Sequence, residues 1–157
     1  MPELPEVETI CNAIKQSIGS LKIDKFEIIN SNLRWKINKN ISSRVNGQII
    51  KKIYRRAKYI IFEFDNGSLI IHLGMTGQFR KIRNNYLSDK HDHFIIKMSD
   101  ENVFVYNDVR KFGSVHWSID VSKHFLIKNI GVEPLTEDLN GQYLKNRTAK
   151  SKMKIKN

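Results

Sequence analysis

The chain has 157 residues, enough for one domain with its own core, and 40% hydrophobic against 27% charged residues marks a folded globular chain rather than a disordered one. Its formal net charge of +11, from 27 Lys+Arg against 16 Asp+Glu, favours a polyanionic partner through its field and the counterions that such a partner releases. The single cysteine, Cys11, excludes an internal disulfide and a cysteine-based structural zinc site within this chain. No apolar run reaches the length of a membrane span, and the first residues lack the basic and apolar segments of a secretory signal, so no membrane partner and a cytoplasmic location are expected.

The stretch "MPELPEVETI" is acidic although the chain is basic: Glu3, Glu6 and Glu8 precede the first cation, Lys15. From Pro5 to Ile18 the apolar residues Val7, Ile10, Cys11, Ile14 and Ile18 fall at helical spacing. Pro5 suits the first helical position, Glu6 and Glu8 suit the positive end of the helix dipole, and Gly19 suits the exit. Pro2 and Glu3 precede the helix and are not explained by it.

After Gly19 the pattern changes to short apolar runs broken by turns. Strands are predicted at Ile23–Ile29, Gln48–Tyr54, Tyr59–Phe64, Ser68–Leu73, His93–Met98, Val103–Tyr106 and Ser114–Ile119. Asp65-Asn66-Gly67 is a hairpin signal between two of them, and residues 99–102 turn another pair. A shorter helix is expected near Ser122–Asn129. The fold class is therefore mainly β with flanking helices: a β-sandwich or pseudo-barrel preceded by an N-terminal α-helix. Residues 1–144 read as one domain, and 145–157 as a basic junction, "KNRTAKSKMKIKN", with no acid.

Pro2 carries a specific chemical possibility. Removal of Met1 leaves a secondary amine that can attack an electrophilic carbon and pass to an iminium, a Schiff base formed without lysine. An ordinary α-amino group titrates at about 7.7–8.0, close to working pH. A helix N-terminus behind it disfavours the ammonium form, and Glu3 favours it. Glu3 could also exchange protons at the reacting centre. His91, Asp92 and His93 invite a metal assignment, but adjacent strand residues point to opposite faces and no Cys or Glu completes a set, so none is assigned.

"PELPEVET" resembles the start of bacterial formamidopyrimidine-DNA glycosylases. Further blocks follow in that family's order: "LRW" at Leu33–Trp35, "RRAKY" at Arg55–Tyr59, "HLGMTG" at His72–Gly77 and "KHDH" at Lys90–His93. Then come "YNDVRKFG" at Tyr106–Gly113 and "GVEPLTEDLNGQYL" at Gly131–Leu144. The resemblance implies a bifunctional DNA glycosylase and AP lyase of base-excision repair that removes oxidised purines such as 8-oxoguanine and formamidopyrimidines from double-stranded DNA. Pro2 then matches the nucleophile, Glu3 the proton donor, and Lys58 the lysine that acts in β-elimination and holds phosphate. Met75, Arg110 and Phe112 match the wedge that fills the space left by an everted nucleotide. His91 and Lys152 match phosphate-binding positions, with Arg110 also counted as DNA-binding.

The sequence departs from the family at "DVRKFG", where Val109 stands for a proline and Lys111 for an arginine. It also stops where the family continues into a helix-two-turn-helix element and a zinc finger, so no cofactor is implied for this chain, and the structural zinc belongs to that further part. A monomer that is weakly active or inactive on its own is implied. Two other readings stay open: an endonuclease VIII-like glycosylase for oxidised pyrimidines, against which Leu4 and Val7 speak, and a non-catalytic DNA-binding remnant.

Overall fold

The computed structural model describes residues 2–18, 21–83 and 85–153; Met1, Gly19 and the end of the basic tail lie outside them. Helix α1 (Leu4–Ile18) opens the fold and buries Val7, Cys11, Ile14 and Ile18, the stripe that the sequence spacing indicates. Glu3 caps it: the Glu3 carbonyl accepts from Val7 N–H at 3.0 Å, and the Glu3 N–H donates to the Glu6 carboxylate at 3.0 Å. That second bond is one half of a capping box.

Eight strands follow in two four-stranded antiparallel sheets. The first has the order β1 (Ile23–Ile28), β6 (Asp92–Met98), β7 (Asn102–Asn107) and β5 (Gln78–Arg83). The second has the order β2 (Lys52–Arg56), β3 (Tyr59–Phe64), β4 (Gly67–His72) and β8 (Ser114–Ser118). The hairpin at Asp65-Asn66-Gly67 joins β3 to β4, and Gly67 sits there at φ 147°, with the Trp117 ring so close that a Cβ would lie 2.6 Å from it.

Alternation along the strands sorts the core. Ile60, Phe62, Leu69, Ile71, Phe94, Ile96, Phe104 and Tyr106 point between the sheets and meet the α1 stripe. The opposite faces are covered too: Ile61 and Ile70 by Ile127, and Ile95, Val103 and Val105 beside Ile29, Ile82 and Tyr86. Strands buried on both faces read as continuous apolar runs, which is why they stand out in the sequence. Phe26, Phe94 and Tyr106 stack in series, with ring centroids 4.9 and 4.8 Å apart.

Three elements differ from the sequence expectation. Strand β5, "QFRKIR", is an exposed edge whose Arg80, Lys81 and Arg83 discourage further strand pairing and hide it from hydropathy. The expected strand Gln48–Tyr54 serves two partners: residues 47–50 bond back to 21–23, and only Lys52–Arg56 joins the second sheet. The expected helix Ser122–Asn129 is a single 3₁₀ turn, Val121–Lys123, followed by loose turns that lay Ile127 on the second sheet. One buried anchor is not a helical stripe. Two short helices, α2 (Asn40–Val45) and α3 (Gly141–Thr148), carry only Ile41 and Val45, and no buried residue, respectively. Helix α3 crosses residue 144, where the sequence reading set its boundary.

Candidate active site and nucleic-acid interface

Glu3, one residue ahead of α1, meets Lys58. The Lys58 ammonium donates to a Glu3 carboxylate oxygen at 2.6 Å, with Pro2 directly before it. Lys58 lies in the two-residue turn between β2 and β3, after Ala57, whose φ of 49° is left-handed backbone that a residue with a Cβ seldom adopts. That conformation is held from outside the turn. One Glu133 oxygen accepts from Ala57 N–H at 2.5 Å and from Arg56 at 2.6 Å, and the other accepts from Arg55 at 2.6 Å. Arg56 also donates to the Gly131 carbonyl at 2.6 Å, and Arg55 to the Glu8 carboxylate at 2.5 Å.

Electrostatics follow this geometry. Burial raises the Glu133 carboxyl, but the Ala57 N–H and the two guanidiniums outweigh it and hold Glu133 below the ordinary range. His72, at the end of β4, stands opposite Tyr59 in the register and accepts from Gly74 N–H through Nδ1 at 3.1 Å, leaving Nε2 as the N–H donor. Burial, then Arg34 and Lys58, hold the His72 imidazole below its usual value, so it stays neutral at neutral pH.

The three residues expected to form a wedge lie on two loops that approach each other closely. Met75 is 38% and Phe112 44% exposed, far from the burial of core residues of these types, and the Arg110 guanidinium lies 4.8 Å from the Phe112 ring centroid. Their two loops are fastened by the fully buried Asp108. One of its oxygens accepts from the Thr76 hydroxyl at 2.5 Å and the other from Gly113 N–H at 2.7 Å. Thr76 in turn accepts from Arg110 N–H at 3.0 Å. A Cβ on Gly74 would lie 2.4 Å from the Phe112 backbone, so the loops approach as closely as glycine allows. Beneath them the Tyr106 hydroxyl donates to the His72 carbonyl at 3.1 Å. Lys111 at the tip has φ 60°, where the sequence carries "DVRKFG".

His91 is linked to this loop through its carbonyl, which accepts from Asp108 N–H at 3.0 Å. Its neighbours are used internally: Asp92 accepts from Arg80, Asn107 and Tyr86, and both His93 ring nitrogens face backbone carbonyls. Lys152 is exposed beyond α3, and no bond among the described residues joins it to the cluster. Sequence reasoning missed His72, Asp108, Glu133 and Arg34. Asp108 and Glu133 lie inside quoted blocks, but their buried, bond-accepting roles show only when the loops meet.

The profile of the formamidopyrimidine-DNA glycosylase N-terminal domain matches residues 1–115. The formamidopyrimidine-DNA glycosylase of Rickettsia felis is 41% identical over 159 residues, covering 100% of this chain and 58% of the relative; that of an Escherichia coli strain is 39% identical over 156 residues, with 99% and 58% covered. The chain thus spans little more than half the length of these relatives. Among solved structures, Lactococcus lactis formamidopyrimidine-DNA glycosylase bound non-covalently to DNA with an AP site superposes with a TM-score of 0.86 at 34% identity, over 99% of this chain and 60% of that one. A MutM structure in complex with DNA containing carbocyclic 8-oxo-G gives 0.69 at 37% identity, over 74% and 44%. The sequence blocks and the two-sheet architecture agree with these matches, and the chain belongs to the formamidopyrimidine-DNA glycosylase family.

Proposed function

We propose that this chain carries the catalytic half of a bifunctional DNA glycosylase and AP lyase that removes oxidised purines from double-stranded DNA. The observation that carries the reading is the 2.6 Å Glu3–Lys58 pair beside Pro2. With Met1 removed, the Pro2 nitrogen attacks C1′ of an everted nucleotide. The C1′–base bond breaks, its electron pair leaves with the base, and Glu3 supplies the proton that opens the sugar ring. The resulting iminium acidifies C2′–H, so loss of that proton expels the 3′ phosphate, and a second elimination expels the 5′ phosphate. Hydrolysis of the imine then frees Pro2. Lys58 serves the first elimination and holds the neighbouring phosphate. Eversion costs a few kcal/mol, which the wedge of Met75, Arg110 and Phe112 offsets by replacing lost stacking and meeting the orphaned base.

The 8-oxo-G and AP-site DNA named for the matched structures supports this substrate class. Half a clamp makes fewer phosphate contacts, so this chain by itself binds weakly, in a salt-sensitive way, and excises little. Imine formation with a ready-made abasic site asks less of it. The chain is incubated at low salt with abasic-site duplex and reduced with borohydride. The expected product is a covalent adduct, located on residue 2 by mass spectrometry and absent from Pro2→Gly. A linkage on any other side chain, or no adduct at high protein concentration, overturns the mechanism.

A further inference from the structure

One aromatic face lies outside the site above. Trp35 and Phe125 are 37% and 52% exposed, with ring centroids 5.9 Å apart. His116 lies beside both, 5.4 Å from Trp35 and 5.6 Å from Phe125, so the three rings form one edge-to-face cluster. Burial, then His124, push the His116 imidazole down to about 4, which makes it an uncharged ring at neutral pH. Cations surround this surface. Arg34 sits 4.8 Å from the Trp35 centroid, and Lys36, Arg44 and His116 line an adjoining groove of ≈ 220 Å³. The sequence has no Asp or Glu from 28 to 62, but nine Lys and Arg. Nearby Asp120 is paired with Lys123 and bonded to Ser122.

We propose that this face binds an unpaired stretch of DNA strand, its bases stacking on Trp35 and Phe125 and its phosphates meeting Arg34, Lys36 and Arg44. Exposed aromatic rings interleaved with cations are what a single strand requires. An intact duplex offers the rings no open base face, because each paired base is already covered by its neighbours. The place also fits. Arg34 N–H donates to the Gly113 carbonyl at 3.1 Å, so the segment that carries Trp35 is tied to the loop that carries Phe112. A wedge that breaks stacking delivers loosened bases next to this surface. The inference extends the DNA-binding reading above and rests on it.

The chain's only tryptophans, Trp35 and Trp117, make the test direct. In Trp117→Phe the emission reports Trp35 alone, and the probe is undamaged oligothymidylate of about ten nucleotides, within the span of one such platform. Expected is saturable quenching at low salt. Phe125→Ala weakens binding by about fivefold or more. Lys36→Gln combined with Arg44→Gln lowers the slope of log affinity against log salt by about 1.4. If Trp117→Phe does not fold, anisotropy of a labelled strand on the unsubstituted chain and on Trp35→Ala carries the same test. Quenching as strong with a duplex of equal length, no quenching by the single strand, or an emission shift on concentrating the protein alone (a second copy covering the face) each overturns the proposal. Borohydride trapping is scored separately. Trapping without quenching removes this surface, whereas quenching without trapping removes the Pro2 mechanism and leaves the surface standing.

Discussion

Replacing Glu133 by glutamine tests whether the turn that presents Lys58 is held by charge. The carboxylate joins Arg55, Arg56 and Ala57 N–H, and the side chains of Glu133 and Arg55 are only 18% and 13% exposed, so solvent screens the contacts little. An amide keeps one accepting oxygen, loses the charge and turns an NH₂ toward a guanidinium. A hydrogen bond to a charged group contributes about 1.5–3 kcal/mol, and Arg55 retains Glu8 and the Ala57 carbonyl, so a net loss of about 2–3 kcal/mol is expected. For a chain of this size that lowers Tm by roughly 5–10 °C. Urea and thermal melts of the two proteins measure it.

The pH dependence sharpens the test. Glu133 titrates below its ordinary value in the fold, so its stabilisation is complete above the unfolded value of about 4.3 and is lost as pH falls through the folded value. A protonated Glu133 resembles glutamine. The difference between the two proteins is therefore large at pH 7 and closes as the pH drops below about 4. Stabilities within about 0.5 kcal/mol at pH 7, or a gap that persists unchanged in acid, would refute the argument.

Two further outcomes follow from packing and burial. A Cβ at Gly113 would stand 1.8 Å from the Tyr106 hydroxyl oxygen, so Gly113→Ala should cost about 3 kcal/mol or more, and Tyr106→Phe in the same chain should recover part of it in a double-mutant cycle of urea melts; strictly additive effects would place the clash elsewhere. His116 titrates at about 4 in the fold against about 6.5 unfolded, so the unfolded chain binds more protons between those values and stability falls as pH drops through that window. Proton NMR of the imidazole follows the titration directly, and a midpoint near 6.5 contradicts the burial of this ring.

Legibility in the sequence followed the physical origin of each feature. Helix α1 and the inner strands β3, β4, β6 and β7 owe their existence to apolar periodicity or continuous apolar runs, and those signals are local. Strand β5 exists because β7 offers a free edge, and its own residues are mostly charged, so nothing local marks it. The same division holds in the site. Pro2, Glu3, Lys58 and the residues proposed as a wedge stand in sequence blocks that carry a chemical rationale. Asp108 and Glu133 look like ordinary acids until chain segments 32 and 76 residues away bring donors to them. A buried carboxylate is identified by what surrounds it, and the surroundings are tertiary.

The same reasoning accounts for an acidic segment in a basic chain. The nucleophile proposed at residue 2 would have to be held in place, yet residues near a chain terminus fray unless they are tied down. Here α1 is fastened to the β2–β3 hairpin at two points, Glu3 to Lys58 and Glu8 to Arg55, with Val7 buried between them. Glu6 is spent on the helix cap. Each of the three acids thus has a partner: Glu6 at the start of the helix, and Glu3 and Glu8 at two points on the hairpin. An isolated surface ion pair contributes about 0–1 kcal/mol, too little to fix a terminus. Two such pairs flanking a buried Val7 restrict rotation as well as position, and the covalent chemistry proposed at the neighbouring Pro2 calls for that restriction.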